Sequence, residues 1–472
     1  WTITMAAVVW FRSDLRTVDN PALDAACLNH KHVYALFLVP QRTWQAHDWA
    51  PIKVDLWWRH LAEFKQELAD KGIGFSIFTI DRFSQSGATI ADFCEKHKVN
   101  TVYANREYPL DEIERDKQAR ACFEQRNIEF QLFDGNLLVP PEAVETKQGG
   151  YYKVFTPFNR AWRKEVAKIS DWSPQSWSVQ NTVAISNELP PCPLERKNSQ
   201  DYPVGRQAIM GKLGQFIEHQ VDDYKARRDK PSVDGTSMMS AYFEMGAIAP
   251  KTVARALSSF SPEFPHGLEP GADTWLTEVA WREFYQHLMF HEPRLSRGEN
   301  YQTETQGLPW REAEEDFRAW CDGRTGFPIV DAGMRQLNET GWMHNRLRMI
   351  VANFLVKDLL IDWRKGEQYF MRNLVDGSFP ANNGGWQWSA SVGTDAVPYF
   401  RVFNPVRQSE KFDPDGTYIR TWVKELADVP SKHIHWPHSY LKQHKTGYVS
   451  PIVDHSEARE RFLSTFKQVK NG

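Results

Sequence analysis

Five short apolar runs recur along the first part of the chain, at Ala6–Phe11, 32–39, Gly74–Ile80, 100–105 and 128–133. They are rich in Val, Ile, Phe and Tyr, with little of the alternation that marks a one-sided strand, so they predict strands buried on both faces. Amphipathic stretches such as Pro51–Asp70 and Leu110–Gln125 lie between them. Strand and helix in alternation predict a parallel sheet with crossover helices, an α/β domain over residues 5–135. From 136 to 203 the periodicity fades. Pro140, Pro141, Pro157, Pro174, Pro190, Pro191 and Pro193 interrupt it, which predicts a long surface linker. Beyond 204 the repeat becomes helical, at 208–225, 274–291, 313–321, 328–337 and 342–363. This predicts an all-α domain over 204–472. No internal repeat or low-complexity tract is present.

Composition narrows the class. With 41% hydrophobic and 25% charged residues the chain reads as an ordinary globular protein. No apolar run approaches the ~18 residues of a membrane helix, and no basic stretch precedes an apolar core at the start, so neither a membrane span nor a secretory signal is expected. Residues 1–4 precede the first methionine and are left out of the fold reasoning. The five cysteines are odd in number and none are paired as Cys-x-x-Cys. That points away from a disulfide framework or a metal site and toward the cytoplasm. A net charge of −3 excludes a protein coated in positive charge, so any nucleic acid must be met by a local basic patch. There is no Gly-x-Gly-x-x-Gly after the first strand and no phosphate-binding Gly-Lys-Ser/Thr loop, which excludes the usual dinucleotide fingerprint. Nineteen tryptophans are the unusual feature, most of them beyond residue 270.

Four segments carry candidate chemistry. In the helix at 274–291, Trp275, Glu278, Arg282 and Tyr285 share one face, with Trp281 beside them. A carboxylate among aromatic rings has a reason to be there, since an unpaired buried charge is expensive. A structural Glu278–Arg282 ion pair is the plainer alternative. In Gly341-Trp-Met-His-Asn-Arg-Leu-Arg-Met349, the amide of Asn345, the guanidinium of Arg346 and the thioether of Met349 can share a helix face. They could contact bases and phosphates, or simply pack and cap a helix end. In Asp376-Gly-Ser-Phe-Pro-Ala-Asn-Asn-Gly-Gly-Trp-Gln-Trp388, glycines 384 and 385 permit close approach, Asn382 and Asn383 supply donors and acceptors, and Trp386 and Trp388 face opposite ways on a helix. The alternative is a glycine turn before an aromatic helix. In the fourth, Tyr224-Lys-Ala-Arg-Arg-Asp-Lys-Pro231 is followed by Gly235-Thr-Ser-Met-Met-Ser240. Thr236, Ser237 and Ser240 suit a pyrophosphate, and Arg227, Arg228 and Lys230 suit nucleic-acid phosphates or plain solvation.

These segments, with Val9-Trp-Phe-Arg-Ser-Asp-Leu-Arg16 and Tyr152-Lys-Val-Phe-Thr-Pro-Phe158, resemble the photolyase and cryptochrome family across nearly the whole chain. The resemblance is strongest at 275–287, 326–363 and 382–403, and is closest to members that repair cyclobutane pyrimidine dimers. It implies a Rossmann-like parallel sheet at the N-terminus, a long linker and a C-terminal helical domain holding FAD, reduced and anionic when active. Asn382 resembles the asparagine beside flavin N5. Tyr224, Thr236, Ser237, Met239, Ser240, Trp275, Arg282, Asn345 and Asp376 resemble further FAD contacts. Trp386, Trp363 and Trp310 resemble a chain of indoles that carries electrons from the surface to the oxidised flavin. Glu278, Trp281, Asn345, Arg346, Met349 and Trp388 resemble the lining of the dimer pocket, and Arg228, Arg346 and Arg401 the contacts to DNA phosphates. The family usually reads Asp-Gly-Asp-x-Ala before the asparagine, whereas this chain has Asp376-Gly-Ser378-Phe-Pro380.

The implied activity is light-driven: excited reduced FAD lends an electron to a flipped-out dimer, whose cyclobutane bonds then break. The partner is damaged DNA, double- or single-stranded; no obligate protein partner is implied, and a monomer is expected. A blue-light photoreceptor without repair activity is the alternative. Such members often carry long C-terminal extensions, and this chain ends soon after residue 467, with both pocket aromatics retained. An enzyme for the (6-4) photoproduct is disfavoured by Asn345 and Met349, where that class places histidine. The resemblance also implies a second chromophore, 5,10-methenyltetrahydrofolate, in a cleft between the domains, held by His47 and Glu112 with Asp111 beside it.

Overall fold

The structure, a computed structural model, describes residues 6–180 and 188–471. Residues 1–4 and part of the expected linker, 181–187, lie outside the described residues. The chain forms two compact units. The first runs through Asp222 and takes in Ser237–Ser296; the second comprises Asp223–Thr236 and the chain from Arg297 onward.

At the centre of the first unit is a five-stranded parallel sheet, β1 (Ala6–Phe11), β2 (His32–Pro40), β3 (Gly74–Ile80), β4 (Thr101–Asn105) and β5 (Glu129–Phe133), in the order β3-β2-β1-β4-β5. β1 pairs β2 with Ala6 opposite His32, and β4 with Val9 opposite Tyr103. Val8, Val9, Phe11, Val33, Leu36 and Val102 are fully buried, because helices cover both faces. The chain turns outward on either side of β1, so the carboxyl ends of β1 and β4 mark the point where strand order reverses. In open α/β sheets that point is the customary ligand crevice.

The expected linker is more structured than its prolines suggest. A helix, Phe155–Val166, buries Phe155, Phe158, Trp162 and Val166. Their spacing of three, four and four residues is a helical stripe that Pro157, sitting in the first turn, does not break. The linker is also anchored from the helix Pro270–His291. Glu283, fully buried, accepts the backbone N–H of Leu138 at 2.5 Å and of Val139 at 3.3 Å, and the indole N–H of Trp162 at 2.6 Å. The His287 ring meets the Val139 carbonyl at 2.9 Å. These bonds place Pro270–His291 in the first unit, although its periodicity groups it with the helical segments.

The second unit is helical. Its core gathers Trp320, Phe327, Leu347, Phe354, Trp363, Phe370, Trp386 and Phe462. The single helix expected at 342–363 is three pieces. A helix spans Asn345–Asn353, a π-helical turn spans Phe354–Asp358, and a new helix, Trp363–Asn373, begins after Asp362, whose carboxylate accepts the Arg364 N–H at 3.0 Å. Leu360 sits between at φ +52°, where a helix cannot continue. Glycines 384 and 385 do not form a turn; they lie inside the helix Phe379–Ala390. Its partner helix carries Gly366, where a Cβ would stand 2.1 Å from Cη2 of Trp386.

Candidate functional site

At the strand-order reversal of the first unit lies a pocket lined by Trp10, Arg12, Trp44, His47, Trp49, Trp57, Glu107, Glu112 and Arg115. His47, Asp111 and Glu112, expected together, are together. His47 Nε2 is 2.9 Å from Asp111 Oδ2, and Nδ1 is 3.9 Å from Glu112 Oε1. Burial works against charge on the His47 ring. The hydrogen bond to Asp111 and the charges of Glu112 and Asp111 outweigh it, so the ring is held protonated to higher pH than usual. Burial pushes the Glu112 carboxyl up to about 7, a rise that His47 and Arg115 moderate and Glu107 reinforces. Sequence reasoning missed the aromatic wall. Trp44 and Trp49 stack at 3.8 Å with 7° between planes, and Trp57 meets Trp49 edge-on at 4.7 Å. The buried Lys53 ammonium lies 4.2 Å from the Trp49 ring and pairs with Glu244 at 2.8 Å. The spacing of Trp49, Lys53 and Trp57, four apart each time, was the available signal.

In the same unit, Pro270–His291 carries Trp275, Glu278, Trp281 and Arg282. Trp275 is buried against Phe216. Trp281, half-buried, stacks on Phe155 at 3.6 Å, with 6° between planes, and lies 5.7 Å from the Tyr285 ring. Arg282 donates to the Asn136 carbonyl at 2.8 Å and lies over Phe243, and burial lowers its pKa despite Glu283 and Glu244. Met239 is buried, Ser237 Oγ accepts the Met239 N–H at 3.4 Å, and Ser240 is exposed.

The second unit holds the rest. Arg346 pairs with Asp229 at 2.9 Å, lies 4.3 Å from the Phe412 ring and approaches the Met349 sulfur at 3.6 Å. Amide, guanidinium and thioether therefore lie on one helix, as their spacing implied. Asp229 belongs to the segment that carries Tyr224, Arg228 and Thr236, and the Arg228 guanidinium lies over the Tyr224 ring. His344 caps this helix by accepting the Arg346 N–H on Nδ1 at 3.1 Å. Burial lowers its pKa to about 4, which keeps that lone pair available.

The helix Phe379–Ala390 packs against both Asn345–Asn353 and Trp363–Asn373. Asn382 donates its amide to the Glu367 carbonyl at 3.0 Å, and among the described residues its Oδ1 takes no protein donor. Asn383 instead joins the Glu367 carboxylate and Gln387. Trp386 is buried and Trp388 half-buried, on opposite faces. Asp376, buried, is held by Arg348 Nη2 at 2.8 Å, a partner that sequence reasoning missed. Trp363 is fully buried and donates its indole N–H to Asn300 at 2.9 Å, while Trp310 is half-buried at the rim of the core. The indole in ring contact with Trp386 is Trp320, at 5.9 Å. Among the described residues no ring contact joins Trp386 to Trp363 or Trp363 to Trp310. Arg401 lies exposed on the loop that follows Trp388.

Residues 7–176 match the family described as DNA photolyase, and residues 275–468 the family described as FAD binding domain of DNA photolyase. The deoxyribodipyrimidine photo-lyase of Vibrio cholerae is 44% identical over 98% of this chain and 99% of its own. A crystal structure of a class III photolyase from Agrobacterium tumefaciens superimposes with a TM-score of 0.87 at 36% identity, covering 99% of this chain and 98% of that one. An archaeal photolyase from Sulfolobus tokodaii, described with two FAD molecules, gives 0.82 at 32% identity, covering 98% and 100%.

Proposed function

The chain belongs to the DNA photolyase family, and from that premise we propose that it is a deoxyribodipyrimidine photo-lyase, a light-dependent carbon–carbon lyase that splits cyclobutane pyrimidine dimers in DNA. The observation that carries the reading is the pairing of two helices in the second unit. One offers the open Oδ1 of Asn382; the other, packed against it, offers Asn345, Arg346 and Met349. An acceptor at Asn382 fits the N–H that a reduced flavin presents at N5, and Arg348 fixes Asp376 as a second acceptor for the ring. Tyr224, Thr236, Ser237, Met239, Ser240, Trp275 and Arg282 would hold the remainder of FAD. When bound and excited, FAD supplies the electron for repair; the protein supplies binding, orientation and electrostatics.

Glu278 would hydrogen-bond a base edge of the dimer, which reaches the pocket flipped out of the DNA stack. Trp281 and Trp388 would wall it with apolar surface, and Arg228, Arg346 and Arg401 would meet phosphates. Trp310, Trp363 and Trp386 would return electrons to oxidised FAD. Five free cysteines fit work in the reducing cytoplasm, as a monomer with no obligate protein partner. No helix among the described residues is long and apolar enough to cross a membrane. The pocket of the α/β unit would take 5,10-methenyltetrahydrofolate, with its pterin against the tryptophans and its N–H donors toward Glu112. The deciding experiment is illumination of reduced holoprotein with blue light on duplex DNA carrying cyclobutane dimers. Loss of dimers in the light and not in the dark is expected. Intact dimers after illumination leave the photoreceptor reading in its place.

A further inference from the structure

Lys357 is fully buried. A buried lysine is rare, and its ammonium is costly to strip of water. It sits in the π-helical turn Phe354–Asp358, a rare element found frequently at functional sites. Its Nζ donates to the backbone carbonyl of Arg401 at 3.0 Å. Two further contacts hold the same loop. Asn353, fully buried one residue before the turn, accepts the Phe403 N–H at 3.0 Å. Tyr399 stacks on Phe466 of the C-terminal helix at 5.0 Å, with 4° between planes. A turn bond from Arg401 N–H to the Pro398 carbonyl at 2.9 Å closes the loop. Every one of these contacts uses backbone or Tyr399, and Phe400, 58% exposed, and the Arg401 side chain are left facing solvent.

Asp358 neighbours Lys357 on the turn; His455 and Arg461 reach the turn from the C-terminal helix, at Asp358 Oδ1 and at the Asp358 carbonyl; Phe462 places its ring 5.3 Å from Nζ. Asp358 is already engaged by His455, so the direct hydrogen-bond partner of the ammonium is the Arg401 carbonyl.

We propose that Lys357 is a positioning residue for DNA binding, holding the Arg401 carbonyl so that the 398–403 loop presents Arg401 to a phosphate. The inference rests on the reading of Arg401 as a phosphate contact. Burial lowers the Lys357 pKa to about 7, with Asp358 opposing. As pH rises through that value the ammonium loses its charge, and a charge-assisted bond becomes an ordinary, weaker one. The loop is therefore held best below pH 7.

The test uses FAD-loaded protein in the dark and a duplex with one thymine dimer, with affinity read by fluorescence anisotropy. Lys357→Met should weaken binding about 3- to 10-fold, the worth of one hydrogen bond. The unfolding temperature should hold or rise, since an apolar side chain replaces a buried charge. The flavin spectrum should be unchanged. Adding Lys357→Met to Arg401→Ala should weaken binding no further than Arg401→Ala alone. Lys357→Gln, which keeps an N–H donor but cannot titrate, should flatten the decline in affinity that the parent shows between about pH 6 and 8. Parental affinity in Lys357→Met, additivity in the double variant, or an unchanged pH profile in Lys357→Gln overturns the proposal. A silent Arg401→Ala overturns the phosphate reading beneath it.

Discussion

Glu112 shows how a single residue can tie chemistry to pH. Its carboxyl is held up to about 7 chiefly by burial, and a pterin edge presenting N–H donors binds only the ionised form. Below pH 7 the ionised fraction falls about tenfold per unit. Folate affinity should therefore climb about tenfold per unit toward pH 7 and level off above it. Protonated His47, 3.9 Å away, favours the same ionised state. Glu112→Ala should remove the near-ultraviolet absorption of bound folate while leaving FAD in place. Reconstitution monitored by absorbance from pH 5.5 to 8 checks both; an affinity flat across that range, or denatured protein that releases only FAD after reconstitution, sinks the folate assignment. The His47–Asp111–Glu112 group was legible only through the family resemblance, because a loop histidine and an acidic helix start are each too common to announce a site. Trp44, Trp49 and Trp57 were overlooked because the sequence drew the eye to tryptophans beyond residue 270. Glu283 was illegible for another reason: its partners are the backbone N–H groups of Leu138 and Val139 and the indole of Trp162, more than a hundred residues away, which no local side-chain pattern announces.

At the scale of elements, the helix Phe379–Ala390 tests what its glycines do. Gly385 is exposed with no atom within 4 Å of an added Cβ, so Gly385→Ala should stabilise FAD-free protein by about 0.5–1 kcal/mol through helix propensity. Gly366→Ala, on the partner helix, drives a methyl into Trp386 and should destabilise by about 1–3 kcal/mol. Urea unfolding of the two variants separates them, and equal stability in both would mean that Trp386 does not fill the space over Gly366. The same helix pair carries Trp363 and Trp386, two of the three indoles of the proposed electron path. Trp363→Phe and Trp310→Phe should each slow photoreduction of oxidised flavin, while repair by already reduced protein survives. Unchanged photoreduction in both variants refutes that path and turns attention to Trp320, the indole in contact with Trp386. Strands were legible nearly to the residue because unbroken apolar runs admit few alternatives at that length. Helix interruptions were not. The apolar stripe of 342–363 continues through a π-helical turn and the left-handed Leu360, and hydrophobic period alone does not register such a break.

For the whole molecule, hydrophobic period divides the chain near residue 204, whereas packing assigns Ser237–Ser296 to the unit of the sheet. Period says that Pro270–His291 is a helix; which core it joins depends on the bonds from Glu283 and His287 to Trp162 and Val139, far away in sequence. Charge has the same split between bulk and locality. A net −3 is the wrong sign for attracting DNA as a whole. Binding must then rest on a few local cations, each releasing counterions on contact. The logarithm of affinity should fall with the logarithm of salt at a slope of about 0.9 per phosphate contact. The two arginines differ in what already neutralises them. Arg346 is paired with Asp229 at 2.9 Å, so part of its field is spent before DNA arrives, whereas the Arg401 side chain is exposed. Arg401→Ala should therefore flatten the salt slope by about one contact, and Arg346→Ala by less. Titration of dimer-containing duplex at several salt concentrations reads both slopes. An affinity indifferent to ionic strength would show that the phosphates are met elsewhere on the surface, and an Arg346→Ala slope flatter than that of Arg401→Ala would make Arg346 the larger phosphate contact.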